Sequence, residues 1–223
     1  MSTFKTGIID PPWPYTAAPG KKEKDKGTKS LSGFVQTPDG KDQYPVLSIE
    51  EMCALPIGDL IDSYLFMWTT MPFFPAALKM YEAWGFEYKT GMCWGKWDVS
   101  KQTNSPRLFE LPVDYDFNMP GNGGYGGVGF WFLGNHELVL IGKKHGAPSI
   151  RTGESSLFLY PKTKHSEKPD RVHRLCEKYF PKEYVEIFGR RARAGWTVLG
   201  NEAPGDGKDI RDSLTEQIKR STK

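Results

Sequence analysis

The sequence predicts an α/β protein whose sheet is mostly parallel. Short apolar runs alternate along the chain with segments of helical periodicity, which is the pattern of successive strand–helix units. Neither an internal repeat nor a Pro/Ser-rich linker divides the 223 residues, so we expect one domain covering residues 1–223. In a sheet of this kind, ligands bind at the carboxyl ends of the strands.

Six short apolar runs predict the strands, because each is brief and dominated by residues that suit a buried strand. In chain order they are TGIID (6–10), SYLFMWTT (63–70), YKTGMCWGKW (88–97), HELVLIGKK (136–144), EYVEIFGR (183–190) and GWTVLGNE (195–202).

Three segments between these runs predict helices. SIEEMCAL (48–55) opens with Ser48 and carries Glu51 three residues later, which is the spacing of a capping box. A second helix, FFPAALKMYEAWGF (73–86), is expected to end at Gly85. The third is KPDRVHRLCEKYF (168–180).

Two long irregular stretches and a polar tail complete the chain. Residues 14–43 are rich in Pro, Gly and Lys, and residues 98–129 contain NMPGNGGYGGVGF. Each follows a strand end, and such long loops in a compact domain are functional lids or disordered segments, so we expect gate and target-recognition loops here. The tail, residues 203–223, has apolar residues at helical spacing and is either a short docking helix or a frayed end. These apolar residues are Ile210, Leu214 and Ile218.

Composition excludes a membrane-spanning or disulfide-stapled protein. Hydrophobic residues make up 38% and charged residues 26% of the chain, and no apolar run approaches the ~20 residues that span a bilayer. Three widely spaced cysteines and the lack of a signal peptide favour a reduced, cytoplasmic setting. Net charge is only +3, but lysines crowd residues 20–29 and arginines crowd residues 189–196. Such clusters suit a phosphate backbone, although solvated loops are an alternative.

Common catalytic and nucleotide-binding motifs are missing. GNGGYG (121–126) has the letters G-x-G-x-x-G, but it neither follows a predicted strand nor opens a helix, so a flexible loop is favoured. The four histidines do not form a metal-ligand pattern, and no metal is expected.

The sequence Asp10-Pro11-Pro12-Trp13 follows the first predicted strand. Its prolines lack N–H donors and fix the backbone, so the turn offers only acceptors, a carboxylate and carbonyls, beside an aromatic ring. An exocyclic amine on a nucleobase would satisfy these acceptors while its ring stacks on the tryptophan. The alternative is a turn that simply ends a strand and buries a tryptophan.

These residues resemble a known family. DPPW after a hydrophobic strand is similar to motif IV of adenine-N6 methyltransferases, in particular the relatives of the eukaryotic messenger-RNA adenosine methyltransferase catalytic subunit and their bacterial and phage members. Further segments resemble the family in the same order, and the similarity covers residue 7 to about residue 202. They are YPVLSIEEM (44–52), LFMWTTMPFFPAALKMYEAWGFEYKTGMCWGKW (65–97), GFWFLGNHELVLIGKKHG (129–146), HSEKPD (165–170) and EIFGRRARAGWTVLGNE (186–202).

The resemblance implies a Rossmann-like methyltransferase fold with helices on both faces of the sheet. The motif order is permuted, with the motif IV strand first, and the methyl donor is S-adenosylmethionine. Asp10 and the Pro11 carbonyl would hold the target amine and Asp10 would also border the donor, while Pro12, Trp13 and Tyr44 would shape the base pocket.

The donor site is implied in the same way. Lys168 corresponds to a lysine that meets the donor's carboxylate, and Glu137 to an acid that pairs with this lysine. The remaining donor contacts would be Phe188, Arg190, Asn201 and Glu202, and Arg193 would contact the substrate. Alternatively, Arg190 and Arg193 are both phosphate contacts. Eukaryotic members carry an adenine-binding segment upstream of motif IV, so here we expect the C-terminal strands to supply most of that subsite.

The expected reaction is methyl transfer to N6 of adenine in nucleic acid, with the base flipped out or single-stranded. DNA is favoured over RNA because the chain lacks additional RNA-binding domains. RNA methylation, a non-catalytic nucleic-acid-binding subunit and a methyltransferase for free nucleotides or proteins are the alternatives. The sequence does not fix the oligomeric state, and a homodimer is left open.

Overall fold

The computed structural model describes residues 4–14, 34–36, 42–45, 47–102, 122–124, 132, 134–161, 167–205 and 207–221. The side chains of residues 34–36, 42–45, 98–102 and 122–124 are not part of this description.

Ten strands, five α-helices and a short 3-10 helix (Met71–Phe73) occur in the described residues. The strands are β1 (Phe4–Ile9), β2 (Phe34–Gln36), β3 (Asp42–Pro45), β4 (Ile61–Thr69), β5 (Glu87–Gln102), β6 (Asn122–Gly124), β7 (His136–Lys143), β8 (Leu157–Pro161), β9 (Tyr184–Ile187) and β10 (Trp196–Leu199). The helices are α1 (Ile49–Cys53), α2 (Ile57–Leu60), α3 (Phe74–Ala83), α4 (Arg171–Tyr179) and α5 (Ile210–Ser221). None of these helices is long and apolar enough to cross a bilayer.

Eight of the strands form one mixed sheet in the order β10-β9-β1-β4-β7-β5-β6, with β8 also paired to β5. The four strands β10, β9, β1 and β4 run parallel to one another. β7 is antiparallel to both β4 and β5, whereas β8 runs parallel to β5. The predicted α/β class with a mostly parallel sheet is confirmed, and the reversal at β7 makes the sheet mixed.

The register aligns the carboxyl ends of the parallel strands. Ile9 of β1 lies opposite Met67 of β4 and Ile187 of β9, and Ile187 lies opposite Leu199 of β10. The turns that follow these strands therefore begin side by side at one edge of the sheet. Because β7 is antiparallel, its first residues reach this same edge, with Leu138 opposite Thr69.

Helices cover both faces of the sheet, as expected. Alternate residues of β1 point to opposite sides, so Ile9 belongs to one apolar cluster and Ile8 to the other. The cluster around Ile9 is closed by α1, α2, α3 and α5, and the cluster around Ile8 by α4.

Local sequence signals correctly predicted the start of one helix and the end of another. The capping box of α1 is present, because the Ser48 side chain accepts from the Glu51 N–H and the Glu51 carboxylate accepts from the Ser48 N–H. α3 ends at Ala83, and Gly85 follows in the left-handed conformation with φ +70°. Of the two interpretations of the tail, the helix is confirmed, since α5 buries Ile210 and Leu214 against the core.

Several elements were not predicted. α2 and β8 fall in segments to which no structure had been assigned. β5 continues to Gln102, and β2, β3 and β6 lie within or at the margin of the two stretches predicted to be irregular. Most of residues 14–43 and 98–129 lies outside the described residues.

Candidate active site

The turn after β1 is fixed by hydrogen bonds to its neighbours. The Asp10 N–H donates to the Ile187 carbonyl at 3.3 Å, and the Trp13 N–H donates to the Pro11 carbonyl at 2.8 Å. Because a carbonyl oxygen has two lone pairs, Pro11 can still accept a second hydrogen bond. This turn links the ends of β1 and β9 and holds the Asp10 carboxylate at the sheet edge.

Trp13 is held on both its ring and its nitrogen. Its side chain is only 4% exposed, its ring stacks on Phe73 with centroids 5.0 Å apart, and its indole N–H donates to the Trp68 carbonyl at 3.2 Å. The buried-tryptophan alternative is therefore partly realised, yet Trp13 also lines the cavity described below.

Asp10 belongs to a row of four charged side chains that alternate in sign. Lys168 Nζ lies 3.2 Å from Asp10 Oδ1 and 2.9 Å from Glu137 Oε2, and Lys96 Nζ lies 2.7 Å from Glu137 Oε1. All four side chains are largely buried, with exposed fractions between 13% and 22%. Buried charges are tolerated when they are paired in this way.

This network shifts the pKa values of its members in different directions. Burial raises the pKa of Asp10, and the opposing pull of the Lys168 ammonium does not cancel this effect. Burial alone would also raise the pKa of Glu137, but the Lys168 and Lys96 ammonium groups outweigh it and hold that pKa below its usual range. Burial alone would lower the pKa of Lys168, yet Asp10 and Glu137 raise it, so its ammonium stays charged.

A cavity that is open to solvent lies at this edge of the sheet. It brings together nearly all of the residues expected to act, drawn from the turns after β1, β9 and β10, the start of β7 and the segment before α4. These are Asp10, Pro11, Pro12, Trp13, Glu137, Lys168, Phe188, Arg190, Asn201 and Glu202.

The turns after β9 and β10 pack closely to form one side of the cavity. Phe188 adopts a left-handed backbone with φ 61°, an unfavourable conformation for a non-glycine residue that is found most often at functional sites. Gly200 has φ +140°, and a Cβ atom there would come within 3.0 Å of the Phe188 Cα. Arg190 Nε lies 3.1 Å from Glu202 Oε2, an ion pair that joins the two turns.

The sequence analysis missed part of the cavity wall. Thr69 ends β4, the parallel neighbour of β1, and Thr70 follows it, so their position at the end of a predicted strand was a usable signal. Asp209, Ile210 and Arg211 come from the start of α5, within the segment treated as a polar tail. The helical spacing from Ile210 onward was the available signal for this helix.

Arg193 does not line the part of the cavity that the described residues form. Its guanidinium makes two hydrogen bonds with the Glu177 carboxylate, at 2.6 and 2.9 Å, and a third with Asp170 at 2.5 Å, which tie the turn before β10 to α4. The other arginines of the cluster are paired too, Arg190 with Glu202 and Arg191 with Glu167. The structure thus gives these arginines carboxylate partners, whereas the sequence suggested phosphate contacts.

Tyr44 lies in β3, opposite Val35 of β2, and its side chain is outside the described residues. The lysine-rich residues 20–29 also lie outside them.

The fold and the site together are those of a Rossmann-like α/β methyltransferase. The cleft lies at the carboxyl edge of the sheet, and an Asp-Pro-Pro-Trp turn follows the first strand. The chain belongs to the MT-A70 family, whose model matches residues 4–111 and 116–202. It is also similar to the type II methyltransferase M.MunI of Mycoplasma sp, with 31% identity over 217 residues that cover 93% of this chain and 81% of the relative.

Proposed function

We propose that this protein transfers a methyl group from S-adenosylmethionine to the exocyclic N6 amine of adenine in DNA. The observation that carries the proposal is the shared cavity, which places the acceptor-only Asp10–Pro11 turn beside Lys168 and the turns that follow β9 and β10. A single cleft at a strand edge can therefore hold both an amine and a charged nucleoside-like donor.

The residues present fit the donor. Lys168 offers an ammonium group to a carboxylate, and Asn201 and Glu202 offer an amide and a carboxylate to ribose hydroxyls after a parallel strand. Asp209, just before α5, and Ile210, its first residue, add a second acid and an apolar surface to the same wall. We therefore assign α5, in addition to the C-terminal strands, to the donor's nucleoside portion. When bound, S-adenosylmethionine supplies an electrophilic methyl group on sulfur.

Asp10 and Pro11 activate the amine. The N6 lone pair is delocalised into the adenine ring, and accepting its two hydrogens, one at the Asp10 carboxylate and one at the free lone pair of the Pro11 carbonyl, localises it on nitrogen. As the new C–N bond forms and the C–S bond breaks, the carboxylate stabilises positive charge on nitrogen. Because burial raises the pKa of Asp10, this group takes up the departing N6 proton more readily than an ordinary carboxylate.

Trp13 and the prolines orient the base. The stacking on Phe73 and the bond from the indole N–H to Trp68 prevent the Trp13 ring from turning, so it presents a fixed surface to the adenine. Similarity to a type II methyltransferase favours DNA as the substrate.

The test offers labelled S-adenosylmethionine with double-stranded DNA, single-stranded DNA and RNA, and sequences the modified product. We expect label on N6 of adenine in DNA, and loss of transfer with retained donor binding in Asp10→Ala. Label on RNA alone would overturn the choice of DNA, and label on another atom, or full activity of Asp10→Ala, would overturn the mechanism.

A further inference from the structure

Lys96 contacts Glu137, a residue of the cavity wall. It lies on β5, two residues beyond Trp94, which pairs with Glu137 of β7. Its backbone N–H donates to the Asn135 carbonyl at 2.8 Å, and its ammonium, 17% exposed, reaches Glu137 Oε1 at 2.7 Å. Glu137 lines the cavity, whereas Lys96 is not among the described residues that line it. Among the described residues, Lys96 is therefore connected to the cavity through Glu137.

Two ammonium groups divide the oxygens of Glu137 between them. Oε1 pairs with Lys96 and Oε2 pairs with Lys168, while Lys168 also pairs with Asp10. Each ammonium stands above a tryptophan ring, Lys96 above Trp94 and Lys168 above Trp68. Aromatic faces attract cations, so the rings help to keep both lysines in place.

Donor binding changes this balance of charge. The α-carboxylate of the donor is a third anion for Lys168, in addition to Asp10 and Glu137. A carboxylate left buried without a partner is costly, so Glu137 would otherwise compete with the donor for Lys168. Lys96 supplies Glu137 with a second cation that stays behind when Lys168 engages the donor.

We propose that Lys96 is a positioning residue that holds Glu137 and thereby leaves Lys168 available to the donor's carboxylate and to Asp10. This inference rests on the proposed function, because it assumes a donor that carries an amino-acid carboxylate. The carboxylate of Glu137 on β7 faces two ammonium groups, that of Lys96 on β5 and that of Lys168 in the segment before α4. Lys168 also faces Asp10, which follows β1, and Arg190 lies close enough to Asp10 to affect its charge.

A pair of ligands separates this role from general support of the fold. S-adenosylhomocysteine carries the amino-acid carboxylate, and 5′-methylthioadenosine lacks it while keeping the nucleoside and sulfur. Their dissociation constants are measured by calorimetry for the wild type, Lys96→Met, Lys96→Arg and Lys89→Met. Lys89 is the matched control, since it lies on the same strand in an exposed pair with Glu87.

We expect Lys96→Met to weaken S-adenosylhomocysteine binding about tenfold or more, the order of loss seen when a buried charge loses its partner. Binding of 5′-methylthioadenosine should change less than about twofold, and Lys96→Arg and Lys89→Met should keep the wild-type preference. An equal loss for both ligands, or no loss for either, would overturn the inference.

A double-mutant cycle keeps the test decisive if Lys96→Met folds poorly. In a Glu137→Gln background there is no carboxylate to compete for Lys168, so adding Lys96→Met should leave the preference between the two ligands unchanged. An additional tenfold loss in that background would overturn the inference. Wild-type protein that binds S-adenosylhomocysteine but methylates no adenine would refute the proposed function without affecting this comparison.

Discussion

Replacing Lys168 by methionine is expected to destabilise the folded protein by about 3 kcal/mol at pH 8. The ammonium makes two ion pairs, at 3.2 Å to Asp10 and 2.9 Å to Glu137, in surroundings where it is 19% exposed. At an effective dielectric constant of about 20, each pair is worth about 5 kcal/mol, most of which offsets the cost of burying the charges. Removing the ammonium leaves the two carboxylates buried, and breaking such a pair costs about 3–5 kcal/mol. The partial exposure favours the lower end of this range.

The pH dependence of this deficit gives the sharper test. In the variant Asp10 loses its ammonium partner, so burial and repulsion by Glu137 hold its pKa still further above that of the unfolded chain, while Glu137 keeps Lys96. The folded variant then binds more protons than the unfolded chain above about pH 4, so its stability falls as the pH rises. In the wild type the pKa of Glu137 is lowered, so this group stabilises the fold above its unfolded pKa and the contribution is lost as the pH falls. The difference between the two proteins should therefore be smaller at pH 5 than at pH 8.

Urea unfolding monitored by tryptophan fluorescence at both pH values measures the deficit. Lys178→Met is the control, because its ammonium is 64% exposed and 3.3 Å from Glu154, and an exposed pair is worth less than about 1 kcal/mol. Adding Asp10→Asn to Lys168→Met should restore part of the stability by removing the carboxylate that loses its ammonium partner, whereas Glu137 keeps Lys96. A deficit no larger than that of the control, or one independent of pH, would refute the reasoning.

Three further changes test the packing around the site. Arg193→Ala should lower stability by about 1–2 kcal/mol in urea unfolding through loss of its bonds to Glu177, with the donor's dissociation constant unchanged; weaker donor binding would contradict its placement outside the cavity. Gly200→Ala should lower the free energy of unfolding by about 1–3 kcal/mol, because the added Cβ would lie 3.0 Å from the Phe188 Cα. It should also weaken donor binding in calorimetry, and a variant as stable as the wild type would exclude this close approach. Leu214→Ala removes a side chain with no exposed surface, so a loss of about 2–5 kcal/mol is expected in the same unfolding assay, and a much smaller loss would mean that α5 is not docked.

The parts of the site that follow parallel strands could be predicted from the sequence. Asp10, Phe188 and Asn201 stand at or just after the ends of apolar runs, and parallel strands bring such ends together at one edge whatever their separation along the chain. The capping box at Ser48 is similarly local, because both partners lie within four residues. The family resemblance implied Phe188 and Asn201, and local spacing predicted the capping box, so neither needed knowledge of which strands are neighbours.

The remaining parts depend on contacts that local patterns do not encode. Nothing in the β7 run shows that it is antiparallel to β4, and only this reversal brings Glu137 to the edge beside Asp10. The partners of Arg193, Glu177 of α4 and Asp170 just before it, lie 16 and 23 residues away, so local patterns did not reveal these ion pairs and Arg193 was expected to contact the substrate. The spacing in the tail indicated a helix or a frayed end, and burial of Leu214 against the core decided between them.

The permuted order of the segments does not disturb the site, because the chemistry depends on strand neighbours and strand direction. β1, which carries the acceptor turn, lies between β4 and β9 in the sheet, although β9 (Tyr184–Ile187) is far from β1 (Phe4–Ile9) along the chain. The register nevertheless aligns Ile9 with Ile187 at the carboxyl ends of the two strands. The wall that α5 contributes is attached just after β10, the strand at the sheet's edge beyond β9, so a segment late in the chain reaches the cavity directly. A segment at either end of the sequence can consequently form part of this cleft, provided that it connects to a strand whose carboxyl end opens into it.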